Sequence, residues 1–526
     1  MNTRAIAFSL CIVFLGFLFL PGALFANNLS VSNVRLGLRD TKAKTVSVLF
    51  DLAWDNSWRN KINHDAVWLT VRLSDSGDPA SAKTLVPLTA AGLNPSGSGT
   101  GSGTDLEVYV PADKAGAFIR RSANTSPAAV SSKNIMLTLD YAAAGFTESS
   151  EISVSVFGLE MVLVPQGEFY AGDGISAASF RQGSADSSSW RITSEAPVGV
   201  SAAVSGGYFY VSAGNAGEFA TSFAFTIPQA YPKGYRSFYC MKYEINEGQW
   251  VEFLNSLPSS ARGRRDVTDT AHKNSDAVLF RNTVACSGQP LTCSSARPAR
   301  AMTYLTWMDL CAFLDWAALR PMTELEFEKA ARGPFLASAG EYAWGNTDLV
   351  AAQLVSGTTE ESGEETILTP AANAHFSSVL LSGGDEALGA EHRKGPMRGG
   401  IFATATSDRV FSGGSAYGVM DLSGNVSERV VTIGNAAGLN FNGLHGDGQL
   451  TTLSGFEGNA NTTSWPGLDQ DAARGVVSSA GSGLRAGSWA DAAVFLAVSD
   501  RSRAALADDS ATSSVGGRGV RSGDES

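Results

Sequence analysis

Helical periodicity surfaces in only three short stretches of this 526-residue chain, and that scarcity limits the fold more than any motif does. In "INEGQWVEFLNSLP", Asn246 is a good N-cap and Gln249 takes the third helical position, as in a capping box. Trp250, Phe253, Leu254 and Leu257 fall on one face, and Pro258 follows the end. Thr306 starts a second helix, running to about Leu319, with Leu310, Phe313, Leu314 and Ala317 as its apolar stripe. Thr323 and Glu326 form a capping box for a third, closed by Gly333 and Pro334, and Pro321 separates the two. Everything else must be strand or loop. Such a chain buries little backbone in ladders, so an α+β architecture held by extra clamps, a disulfide or a metal, is expected.

Residues 27–157 read as strands. "VSVLFDLAW", "AVWLTVRLS", "DLEVYVPAD", "NIMLTLDYA" and "EISVSVFG" are β-branched and aromatic-rich, with turn signals such as "SDSGDP" and "NPSGSGTGSGTD" between them. The pattern predicts an N-terminal β-sandwich of roughly immunoglobulin type, ending at 157. His64 is alone there and reads as structural. The Gly/Ser run 96–104 lacks the Lys of a phosphate loop. From 158 to 526 the texture changes. "LEMVLVPQGEFYAGDG" is a strand ending in a Gly turn, and 171–230, rich in Ala, Ser and Gly, reads as a long insertion.

Charge excludes one class of partner. The net charge is −12, and no basic stripe exists; "ARGRR" at 261–265 reads as a solvated loop. Nucleic-acid binding needs clustered Lys and Arg, so it is not expected. Residues 1–26 carry Arg4, a long apolar run and Ala26 before polar Asn27, the pattern of a cleaved secretory signal. The expected location is extracellular or periplasmic, with no membrane attachment after cleavage. Four cysteines then remain: Cys240, Cys286, Cys293 and Cys311. Cys286 and Cys293 bracket the turn "SGQPLT", so a local disulfide hairpin is expected, while Cys240 and Cys311 either pair or stay buried as thiols. No Cys-x-x-Cys pair supports a zinc ribbon or thioredoxin-type site.

"GVMDLSGNVSERV" (418–430) places Asp421 and Glu428 seven apart, around Ser-Gly-Asn. The spacing suits a turn with Asp421 bonding its own backbone, and equally a cage of carboxylates and carbonyls for a hard cation.

Seven blocks, in order, resemble the formylglycine-generating enzyme or sulfatase-modifying factor family: "MVLVPQGEFYAGDG" (161–174), "FYCMKYEINEGQWVEFLN" (238–255), "LRPMTELEFEKAARG" (319–333), "YAWGN" (342–346), "GVMDLSGNVSE" (418–428), "LRAGSW" (484–489) and "GGRGVR" (516–521). The resemblance implies a loop-rich, C-type-lectin-like fold with a small twisted sheet and two helices. It also implies structural calcium held by the Asp421 and Glu428 side chains and the Gly424 and Val426 carbonyls. A second calcium site would start at Asn373 and the Ala374 carbonyl, with no partner carboxylate identified.

The chain departs from the family where the chemistry resides. Members that make formylglycine carry two copper-binding cysteines after a Gly-Ser-Trp/Tyr motif; here those positions are Asp491 and Leu496. Cu(I) selects thiolate sulfur, so neither copper nor formylglycine-generating activity is expected, and no catalytic residue is assigned. The five His form no spaced pair such as a non-haem iron site requires. Glu324, Glu326 and Glu328 read as capping and helix-dipole residues rather than an acid/base pair. What remains is a rigid platform carrying a tail of small polar residues, 490–515. The expected role is binding of a protein or glycan around Trp489, Asp491, Phe495 and Arg501. The alternative is a formylglycine-generating-type oxidoreductase acting on a sulfatase cysteine or another sulfur substrate.

Overall fold

The computed structural model describes residues 28–77, 82–183, 188–356, 365–384 and 389–523. The secretory segment expected over 1–26 lies outside them. The described chain is mostly β-sheet with few helices.

One strand organises the molecule. Ile152–Val164 pairs antiparallel with Asp65–Asp75 along its length, from Ile152 opposite Asp75 to Val162 opposite Asp65. Its last residues pair on the other side with Phe238–Met241, from Met161 opposite Met241 to Val164 opposite Phe238. The boundary expected at 157 therefore falls inside a single strand. Gly158 looks like a break between "EISVSVF" and "LEMVLV", but it serves close packing. A Cβ there would lie 3.1 Å from Leu69 and 3.3 Å from Leu29. The result is a nine-stranded sheet shared by the two halves of the chain.

The N-terminal half of that sheet is covered on both faces. Strand side chains alternate, so Val67, Leu69, Val71 and Leu73 face one way. They meet Val46, Val48, Phe50, Leu52 and Trp54 of strand Thr45–Arg59 and Ile135, Leu137 and Leu139 of Thr125–Asp140, in one core between two sheets. Ala66 and Trp68 face the other way, with Phe157 and Leu159, onto Trp250, Phe253, Phe313 and Trp316 of the helices. Trp68 Nε1 donates to the Ala317 carbonyl at 2.9 Å, and the Arg72 guanidinium lies over the Trp316 ring. The two halves interlock through this contact.

The helices form where their caps predict. Glu247–Ser256, Trp307–Trp316 and Glu324–Arg332 begin with reciprocal capping boxes at Asn246/Gln249, Thr306/Asp309 and Thr323/Glu326. A fourth helix, Ser259–Arg264, corrects the reading of "ARGRR" as a solvated loop. Arg262 and Arg265 are buried; Arg262 donates to the Leu254 and Leu257 carbonyls at the end of the preceding helix, and Arg265 pairs with Asp309 at 2.7 Å. The insertion 171–230 also packs: Phe180, Trp190, Ile192, Tyr210 and Ile227, on short strands, join the main core.

Cys286 and Cys293 are disulfide-bonded across a hairpin, while Cys240 and Cys311 are buried free thiols. His64 is buried and its Nε2 bonds the Tyr239 hydroxyl at 2.9 Å, the structural role expected.

Candidate functional site

Strand Ser427–Val431 sets the site. It pairs antiparallel with Ser482–Arg485, Glu428 opposite Arg485, and parallel with Val515–Gly516, Ser427 opposite Val515. This brings "DLSGNVSE", the Gly-Ser-Trp turn and the terminal "GGRGVR" side by side. Asn425 knots them together. Its carbonyl accepts from Trp489 N, its N–H donates to the His375 carbonyl, and its side chain spans Met397 N and Glu244. Asn425 holds φ 64°, a left-handed conformation that Asn adopts more readily than most residues.

The four expected calcium residues are buried, and the surrounding charge is unusual. Glu428 accepts from Arg518 through both oxygens, at 2.7 and 2.8 Å. Arg518 also donates to the Met420 carbonyl at 2.8 Å and the Met241 carbonyl at 3.1 Å. Asp421 Oδ2 accepts from Gly400 N at 2.6 Å. Glu244, which sequence reasoning missed, accepts from Asn425 Nδ2 at 2.6 Å and Val426 N at 3.2 Å. Gly424 N donates to the Ala486 carbonyl. Burial raises the pKa of Glu244 well above the carboxylate range and that of Asp421 and Glu428 in the same direction, and the Asp421 carboxylate adds repulsion on Glu244 and Glu428. Three buried carboxylates thus face Arg518, with Arg398 acting on Asp421 from further off. The donors are hard oxygens whose ionisation burial holds back for want of positive charge, a chemistry that suits a divalent cation; Arg518 is the cation already built in. Among the described residues no His/Cys/Asp/Glu group of three has metal-binding geometry. Asn373 and the Ala374 carbonyl are engaged with 348–352: Asn373 Oδ1 accepts from Val350 N and the Ala374 carbonyl from Ala352 N.

The tail residues separate into surface and core. Trp489 is nearly covered, with its ring 5.6 Å from Phe280 and Nε1 donating to the Ser513 carbonyl at 2.9 Å. Asp491 accepts from Ser488 Oγ at 2.6 Å and pairs with Arg503 at 3.0 Å. The Arg503 guanidinium lies 4.6 Å from the Phe495 ring centroid. Asp491, Phe495 and Arg503 therefore form a half-exposed array, next to exposed Ala492 and Val494. Arg503 was not singled out in the sequence, although "RSR" at 501–503 contains it.

Arg501 departs from the expected contact surface. It is fully buried, held by Glu324 at 2.6 Å and stacked between Phe180 and Tyr210, each 4.2 Å away. Glu324 also meets Arg485 at 3.2 Å, and Glu328 bridges Arg485 and Arg332 at 2.7 and 3.0 Å. Glu326 alone serves the cap, where it also pairs with Arg320. Leu496 is completely buried. The remaining thiols lie elsewhere, Cys240 on strand Phe238–Met241 and Cys311 on helix Trp307–Trp316.

Among known families, the model of the sulfatase-modifying factor enzyme 1-like domain matches residues 155–522. No curated protein matches the chain significantly.

Proposed function

The chain belongs to the sulfatase-modifying factor family, and on that premise we propose that it is a secreted, non-catalytic binding protein. The C-type-lectin-like reading of its loop-rich half assigns ligand contact to the C-terminal loops. Asp491, Phe495 and Arg503 form the contact array, and Trp489 fixes its base. The ligand is a protein or glycan.

One observation carries this reading. The first copper-ligand position is a carboxylate already neutralised by Arg503, and the second is a core leucine. Neither supplies the soft thiolate that Cu(I) selects. Calcium at Asp421, Gly424, Val426 and Glu428 belongs to the same reading, as a clamp that would hold the loop under the array. The surplus of buried carboxylate there supports it.

Two measurements test the proposal. Cu(I) titrated into the reduced mature protein gives no tight one-to-one complex; a stoichiometric complex overturns the non-catalytic reading. In a panel of extracellular proteins and glycans, a ligand is expected whose binding falls about tenfold or more in Phe495→Ala/Arg503→Ala, because truncated aromatic and Arg anchors dominate interface losses. A panel with no ligand sensitive to that double variant rejects the contact surface.

A further inference from the structure

A cavity, remote in sequence from the tail, lies where the two halves of the chain meet. Its volume is about 870 Å³, within the range of small-molecule sites. Trp58 and Arg59 come from the end of strand Thr45–Arg59, and Asn124 and Ser126 from around the start of its paired neighbour Thr125–Asp140, where Thr125 lies opposite Arg59. Lys242 and Tyr243 follow strand Phe238–Met241, and the 403–420 loop supplies Thr404 and Ser407.

The floor is aromatic and cationic. The Lys242 ammonium sits 5.3 Å from the Trp58 ring centroid and 5.4 Å from that of Tyr243. Glu160 at 3.1 Å and Asp65 at 3.9 Å hold Lys242 in place. Trp58 is fixed from the side by Gly418, where a Cβ would lie 3.0 Å from the indole; φ there is 89°, so a glycine is required twice over. The part of the indole left uncovered lines the cavity.

The walls are short amides and hydroxyls. Asn56, Asn60 and Asn124 stand with Thr404, Ser407 and Ser412 around the opening. Asn56 and Asn124 offer both donors and acceptors, while Asn60 accepts from Ile62 N and Asn63 N, Thr404 and Ser407 bond each other, and Ser412 donates to the Arg409 carbonyl. The charged lining residues are Arg59, Lys61 and Lys242, with no carboxylate among the lining residues. That sign is opposite to the chain's net charge of −12. Arg59 is anchored by Glu107 at 2.6 Å, while Lys61 is exposed at the rim.

We propose that this junction cavity binds an anionic oligosaccharide. A pyranose offers a C–H face that packs on the fixed indole, hydroxyls that both donate and accept along the walls, and a carboxylate or sulfate that Lys61 and Arg59 attract. An apolar ligand would leave the Asn56 and Asn124 amides unsatisfied, and a polycation would meet Lys61 at the rim, the lining cation left once carboxylates have taken Arg59 and Lys242. The cavity shares no lining residue with the array at Asp491, Phe495 and Arg503, so the assignment stands or falls separately from the tail.

The test is calorimetric titration of the full mature protein with three probes: an oligogalacturonate (carboxylate), a chondroitin sulfate tetrasaccharide (sulfate and carboxylate) and neutral cellotetraose. At least one anionic probe is expected to bind, more weakly at higher salt. Trp58→Ala is expected to weaken it about tenfold, the scale of losing an aromatic anchor. Lys61→Glu, on an exposed side chain that leaves the core untouched, is expected to weaken the anionic probes selectively. Phe495→Ala/Arg503→Ala is expected to leave binding unchanged. No binding by either anionic probe overturns the proposal. So does equal affinity for cellotetraose, or binding indifferent to Lys61→Glu; the Lys61 arm decides even if Trp58→Ala fails to fold.

Discussion

Arg501 and Glu324 form a fully buried ion pair, Nε at 2.6 Å and Nη2 at 3.0 Å from the carboxylate, across 177 residues of sequence. The pair fastens the tail to the first turn of helix Glu324–Arg332, and the insertion completes the grip. Phe180 and Tyr210 sandwich the guanidinium, the Ala178 carbonyl accepts from Nη1 at 3.0 Å, and Asn215 donates to the Ser502 carbonyl. The insertion is thus a buttress for the C-terminal tail. Burial acts to lower the Arg501 pKa, and the Glu324 carboxylate outweighs it, so the guanidinium stays charged.

Removing one partner of such a pair strands the other in the core. Arg501→Ala is expected to destabilise the protein by about 3–5 kcal/mol. Arg501→Met with Glu324→Gln, which removes both charges and keeps volume, is expected to cost clearly less. Urea unfolding midpoints measure both. A single variant within about 0.5 kcal/mol of the parent, the range of ordinary surface substitutions, contradicts the assignment.

The same pair marks the limit of what the sequence discloses. Capping boxes are local, so Asn246, Thr306 and Thr323 announce their helices within four residues. The Cys286–Cys293 hairpin is legible for the same reason, seven residues apart around one turn. Arg501 has its partner 177 residues away, and a lone Arg in a polar tail reads as surface. The 157/158 position is a different case, lying inside strand Ile152–Val164. Gly158 carries the sequence signal of a break, yet the ladder runs through it because both neighbouring faces are buried. At the candidate calcium loop, Asp421 and Glu428 were legible as a spaced pair. Glu244 and Arg518 were not, because only tertiary packing brings them to it.

His272 supplies a pH-dependent clamp between segments. Its Nδ1 lies 3.1 Å from Asp269 and its Nε2 2.9 Å from Asp309, which also holds Arg265. Burial acts to lower its pKa, but Asp309 and Asp269 outweigh it and push it up to about 9. The folded value thus exceeds the unfolded one near 6.5. The stabilisation is complete below about pH 6.5 and is lost as pH rises through about 9, by a total on the order of 3 kcal/mol. His272→Gln is expected to be less stable at pH 6 and to approach the parent at pH 10. Denaturation free energies between those limits check it; parallel curves for the two proteins would remove the clamp.

At the 418–430 loop Arg518 already performs the electrostatic task that the proposed calcium would share. Glu428, Asp421 and Glu244 are all buried, and the guanidinium pairs directly with Glu428. A bound divalent ion stabilises the native state by mass action, so EGTA is expected to lower the melting temperature. Asp421→Asn removes one charge while tolerating the φ of 60° at that position, and it is expected to abolish the EGTA effect. Arg518→Met leaves Glu428 without its cation and is expected to cost about 3–5 kcal/mol. Millimolar calcium is expected to return part of that loss, because the freed carboxylate oxygens are the ligands calcium takes. Melting curves of the three proteins, with EGTA and with calcium, decide the matter: curves indifferent to calcium in the parent and in Arg518→Met would leave Arg518 as the loop's sole cation.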